Sequence, residues 1–183
     1  MDGMAFRFHS TPQITIPQTT APQPITPGPG QESVWDYPRP PACLRSTRLI
    51  AVRAGDMRIA ETSGAFRVLE TSHPPTWYLP PGDVANAALR PSAARPTFCE
   101  WKGRATYWDI ELPAGLAVAA AWSYPAPSPG FESIAGYLAF DPAVLECYVD
   151  RERARPQEGG FYAGWITGDV VGPFKGIPGS QGW

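Results

Sequence analysis

The sequence is short of charge, of cysteine pairs and of long apolar runs, and each shortage removes a class of function. Charged residues make up 17% of the 183-residue chain, where a quarter is usual. With a formal net charge of −2, the chain has no basic stripe of the kind a nucleic-acid binder carries. Its one basic cluster, Arg151, Arg153 and Arg155, is broken by Glu152 and reads as a solvated turn. No nucleic-acid partner is expected. The most apolar stretch, Gly115 to Trp122, is far too short to span a bilayer. The N-terminus lacks the basic-then-apolar order of a secretory signal. The expectation is a soluble, cytoplasmic protein with no membrane partner; a homo-oligomer stays open.

Three cysteines, Cys43, Cys99 and Cys147, are odd in number and far apart. That speaks against a disulfide scaffold and for reduced thiols. Zinc sites usually show paired ligands such as C-x-x-C, and no such pair exists. His9 falls in the N-terminal tail, so His73 is the one imidazole of the domain. No metal and no cofactor are expected. There is also no phosphate-binding Gly-Lys loop, no G-x-G-x-x-G, no G-x-S-x-G and no H-E-x-x-H. Any chemistry must come from a constellation without a common motif.

Proline (23), glycine (18) and the aromatics (7 Trp, 7 Tyr, 8 Phe) are abundant instead. Much Pro and Gly means many turns and few long helices. Aromatic side chains bury a large area per residue. Together they predict a mainly β domain of short strands. Residues 1–31 are rich in Thr, Gln, Pro and Gly and read as a flexible, extended tail that is dispensable for folding. Residues 32–183 read as the single domain. Strands are predicted at 48–53, 57–61, 65–70, 76–79, 97–101, 104–111, 116–124, 136–140 and 144–149, the last two as a pair. Lys102-Gly103 reads as a two-residue hairpin link. Asp83–Leu89 is the one helix candidate, capped by Asp83 and stopped by Pro91. Residues 157–183 read as irregular, held down by their own aromatics.

Four segments combine polar groups with aromatics. In Arg67–Tyr78, Glu70 and His73 flank a strand end; a carboxylate beside an imidazole suits acid–base work, or Thr71, Ser72 and His73 simply turn the chain. In Cys99–Gly103, Lys102 is an anion holder or, if desolvated, a nucleophile; the other reading is a solvated hairpin lysine. Cys99 reads as a small buried hydrophobe. Ala121–Pro127 is pocket wall or core. Gly159–Trp165 is a lid over a pocket or a clamp for the chain's end.

Taken in order, Arg67–Tyr78, Cys99–Gly103, Ala120–Tyr124, Gly136–Phe140 and Gly159–Trp165 resemble the domain of unknown function 427 (DUF427) family from about residue 32 to 183. The resemblance implies a β-tent-like fold, two small antiparallel sheets leaning together, with one short helix. Methionine sulfoxide reductase B, a glutathione–formaldehyde-adduct enzyme and the ligand-binding domain of cereblon are similar in fold. Several of those hold zinc through Cys pairs that this chain lacks. The family also carries a nucleotidyltransferase heading; the chain has no paired carboxylates on a strand after a Gly-Ser turn to support it.

Fold likeness does not transfer function, so the functional expectation rests on the residues. It is a site for a small-molecule ligand between two sheets. Glu70, His73 and Lys102 are the candidate catalytic groups, and Tyr78, Trp101, Trp122 and Tyr137 the candidate ligand contacts. Apolar walls with a few converging polar groups are the usual profile of such a site, and Glu, His and Lys together supply acid, base and anion holder. The rival is a non-catalytic partner-binding module. Convergence of Glu70, His73 and Lys102 in one cleft discriminates between the two.

Overall fold

The computed structural model describes residues 22–183. His9 and the first 21 residues of the expected tail lie outside the described residues. The first strands are β1 (Glu32–Ser33), β2 (Ala42–Arg45), β3 (Ile50–Ala54), β4 (Met57–Thr62), β5 (Phe66–Leu69), β6 (Thr76–Tyr78), β7 (Leu89–Pro91) and β8 (Thr97–Cys99). Next come the two long strands, β9 (Gly103–Leu112) and β10 (Gly115–Ser123). The chain continues through β11 (Leu138–Phe140), β12 (Glu146–Val149), β13 (Glu152–Arg153), β14 (Arg155–Pro156), β15 (Trp165–Ile166) and β16 (Val170–Val171).

The architecture is mainly β, built of several small sheets that stay open rather than closing into a barrel. One runs β11-β10-β9-β7, with β8 paired to β9; a second runs β13-β12-β3-β4; a third is β2-β5-β6. All three are antiparallel, as the resemblance implies. The third sheet is stitched to the first where Leu79 and Leu138 exchange backbone hydrogen bonds of 2.8 and 2.9 Å. The main core lies between the first and second sheets, around Ile50, Val52, Trp77, Ile110, Phe140 and Trp165. A smaller cluster around Tyr78, Tyr124, Phe131 and Ile134 supports the opposite face of the first sheet.

Three expectations are corrected. The helix over Asp83–Leu89 does not form; two single 3-10 turns, Pro81–Asp83 and Asn86–Ala88, take its place. Between them Val84 bridges Ala60, and the Ala85 N–H donates to Ile59 C=O at 2.8 Å. Pairing with β4 holds Val84 extended, at φ −106° and ψ 137°, which breaks the helical path, and so short a segment has little helical stability of its own. Residues 136–140 and 144–149 do not pair with each other: β11 joins β10 and β12 joins β3. Finally, the link between β8 and β9 is not Lys102-Gly103. The loop is Glu100–Lys102, with Cys99 opposite Gly103. Gly103 sits at φ +89°, which fits a three-residue hairpin whose closing residue is left-handed.

Residues 22–31 run beside the C-terminal segment. The Ile25 N–H donates to Gly172 C=O at 2.8 Å, and Gln31 Nε2 donates to Gly168 C=O at 2.7 Å. That segment is largely irregular, but Trp165 is fully buried and its Nε1 donates to Phe140 C=O at 3.0 Å. No helix among the described residues is long and apolar enough to cross a membrane.

Candidate functional site

Strand periodicity assembles a concave wall. Side chains two apart share a face of a strand. Val68 and Glu70 follow that rule along β5 and just past it, Thr76 and Tyr78 along β6, Ala105 and Tyr107 along β9. Trp122 stands opposite Tyr107 across the β9–β10 ladder. All of these line one cavity of about 630 Å³, while neighbours on the opposite faces, such as Trp77 and Trp108, go to the main core. A bulge shapes the β10 side: the register shifts between Ala117 and Ala121, and Ala119 takes φ +52°. The buried Asp109 carboxylate holds it by accepting the Ala119 N–H at 2.7 Å. Ala119 lines the cavity too.

The β8–β9 hairpin loop carries Trp101 and Lys102 into this wall. Lys102 is only 9% exposed, so it is not a solvated hairpin lysine. Its Nζ lies 5.8 Å from the ring centre of Tyr124 and 6.0 Å from that of Phe131. Among the described residues it has no ion-pair or hydrogen-bond partner. Glu70 lines the same cavity without pairing to it; its Oε1 accepts the Trp101 indole N–H at 3.2 Å. Tyr78 is fully buried, and its hydroxyl lies near Trp122 and Tyr124 without a well-formed hydrogen bond. Burial pushes its ionisation well above the ordinary tyrosine range. Tyr78 therefore presents a neutral hydroxyl.

The C-terminal segment closes the far side with Gln157, Phe161, Tyr162 and Lys175. Two glycines let it fold so tightly. A Cβ on Gly159 would meet Gly176 C=O at 2.5 Å, and one on Gly176 would meet Glu158 C=O at 2.0 Å. This crossing sets Gln157 beside Lys175. Gln157 Nε2 donates to Lys175 C=O at 2.7 Å, and Gln157 Oε1 accepts the Gly164 N–H at 3.2 Å. Both ends of the amide are thereby assigned, so the 3.0 Å contact between Gln157 Nε2 and His73 Nδ1 is donated by the amide. Nδ1 accepts, and the ring proton of neutral His73 sits on Nε2. Burial first, then the nearby Lys175 and Lys102 charges, push the His73 pKa down to about 4. At neutral pH His73 is an uncharged N–H donor, its ring packed edge-on against Tyr162 at 4.5 Å.

Glu70, His73, Tyr78, Trp101, Lys102 and Trp122 thus border one cavity. Tyr137 does not: it packs on Phe66, ring centres 5.5 Å apart, outside the lining. None of the three thiols is in a disulfide. Cys99 lines the cavity, while Cys147 is fully buried and its ionisation is pushed well up by burial. No three His, Cys, Asp or Glu side chains cluster as metal ligands among the described residues. Sequence reasoning missed Gln157 and Lys175, which sit in irregular chain without a motif. Only the Gly159 and Gly176 crossing brings them to His73.

The family model described as Domain of unknown function (DUF427) matches residues 42–153, well over half the chain. The chain belongs to that family. The match is narrower than residues 32–183, and the DUF427 portion supplies the sheets, the hairpin loop and the His73 turn. Gln157, Phe161, Tyr162 and Lys175 lie beyond it. No curated protein matches the chain.

Proposed function

We propose that this DUF427 chain binds a small molecule in the cavity between the β2-β5-β6 sheet, the β8–β9 hairpin and the C-terminal segment. The observation that carries the reading is the convergence of Glu70, His73 and Lys102, from separate parts of the chain, on one aromatic-walled space. Its volume is in the usual range for ligand pockets. A second support is energetic. A fully buried hydroxyl at Tyr78 lacks a hydrogen-bond partner, and Lys102, a residue only 9% exposed, lacks an anionic partner among the described residues. Such groups are costly unless something satisfies them.

Binding fits these groups better than proton transfer by His73. With its proton on Nε2 and Nδ1 already engaged, His73 lacks a free basic nitrogen. If turnover occurs, Glu70, whose second carboxylate oxygen has no partner among the described residues, is the better base. A partner-binding role draws on a different feature: Phe98 (78% exposed) and Phe161 (81% exposed) flank the cavity mouth.

A thermal-shift screen against a metabolite library tests the reading without an assay for the reaction. A ligand at a hundred times its Kd stabilises the native state by about 2.7 kcal/mol. Hits that quench tryptophan fluorescence and are lost in Trp122→Ala support the cavity site. A library with no hits, or hits indifferent to Trp122, refutes it.

A further inference from the structure

We infer that the ligand is a small aromatic or heteroaromatic carboxylate, its anionic group set against Lys102 and its ring between the aromatic walls. The inference rests on the reading of the cavity as a ligand site and adds the chemical class.

The charges that face the cavity decide it. Lys175 is already engaged, its Nζ donating to Trp183 C=O at 2.8 Å. Glu70 accepts the Trp101 indole N–H. Asp141 accepts the Ala143 N–H at 2.8 Å. Glu100 is exposed at the rim. That leaves Lys102, 9% exposed and without an anion within ion-pair distance among the described residues. A sequestered ammonium is tolerated far better with a counter-anion than without one. The two aromatic faces near 6 Å from Nζ supply part of that attraction but no hydrogen-bond acceptor.

The other polar groups narrow the class. Neutral His73 lines the cavity and adds a donor without adding charge, while the Tyr78 hydroxyl is buried behind the wall. The Lys102 and Lys175 ammoniums are balanced by the Glu70, Glu100 and Asp141 carboxylates in the same lining, so the space has no excess positive charge and suits a monoanion better than a doubly charged phosphate. The remaining lining is flat: Trp101, Tyr107, Trp122 and Tyr162 offer ring faces and edges to a planar body. The unpartnered Glu70 oxygen suits a donor at the ligand's other end.

Three matched series test this: benzoate, benzamide and benzylamine; indole-3-acetate, indole-3-acetamide and tryptamine; nicotinate, nicotinamide and 3-picolylamine. Affinity is read by thermal shift and tryptophan quenching on the full chain. Each carboxylate that binds is expected at least tenfold tighter than its amide and amine. Lys102→Met should erase that preference, weakening each carboxylate at least tenfold more than its amide. The unliganded variant should melt at or above the wild-type temperature, because an uncompensated charge has been removed. Amides or amines that match the carboxylates overturn the inference, as does a preference that survives Lys102→Met. A Lys102→Met protein that melts well below wild type makes the lysine structural and overturns it as well. If the library hits are neutral or cationic, the cavity reading stands and the carboxylate inference falls; if nothing binds at all, both fall.

Discussion

His73 gives the sharpest test of the geometry, because its environment predicts a pH dependence with a definite sign. In the unfolded chain its pKa is the ordinary 6.5 or so. In the fold, burial and the Lys175 and Lys102 charges hold it near 4. Between those values the unfolded state binds a proton that the native state refuses, so stability falls as pH falls. Above about pH 6.5 the effect is absent; below about pH 4 it is complete. The whole gap corresponds to about 3 kcal/mol, and about 2 kcal/mol of it is already felt at pH 5. His73→Asn isolates the contribution. The Asn side-chain oxygen can still accept from Gln157 Nε2, but it does not titrate. The variant loses the ring contact with Tyr162 and should be less stable at pH 7.5 by about 1 kcal/mol. Urea unfolding of both proteins from pH 7.5 to 5 should show the wild type losing about 2 kcal/mol more than the variant. Acidic side chains and His9 are common to both proteins and cancel in the difference. Parallel profiles would refute the reasoning, as would a His73 ring that titrates near 6.5 by NMR.

Gly159→Ala places a Cβ against Gly176 C=O; it should push the C-terminal segment away from His73, admit water to the ring and raise its pKa from about 4 towards 6.5, read by the same NMR titration. Asp109→Ala strands the Ala119 N–H in a strained bulge and should cost about 1–3 kcal/mol by chemical denaturation. Deleting residues 1–31 removes the Ile25 and Gln31 hydrogen bonds to the C-terminal segment and should cost about 1 kcal/mol; a loss several times larger in a melting experiment shows that the tail is part of the folded core.

Local pattern was enough for most of the longer strands and for the family, but not for β2 or β7. Alternation in Ala65–Glu70 and Thr76–Leu79 is a backbone property, and it carries over directly to β5 and β6 because a pleated strand sends alternate side chains to opposite faces. The same rule explains why Tyr78 and Trp122, chosen from sequence, end up on the cavity face. The Asp83–Leu89 segment failed for the complementary reason. Its cap and stop signals are local, but Val84 and Ala85 are held in extended pairing by Ala60 and Ile59, more than twenty residues away in sequence, and no local signal reports that.

The site divides along the same line. Residue chemistry alone marked Glu70, His73 and Lys102, since few other side chains in so charge-poor a chain combine titration with aromatic neighbours. Their states were set by tertiary structure. Lys102 looks like a solvated turn residue until the hairpin loop folds inward and removes it from water. His73 looks like an acid–base group until Gln157, 84 positions away, takes its Nδ1 and burial, with the nearby cations, depresses its basicity. Tyr137 looks like wall until the turn before β11 sets it against Phe66. Sequence determined which groups are present and which face of a strand each occupies. Charge state, tautomer and partner depend on desolvation and on contacts between distant segments, and those exist only once the chain has closed on itself.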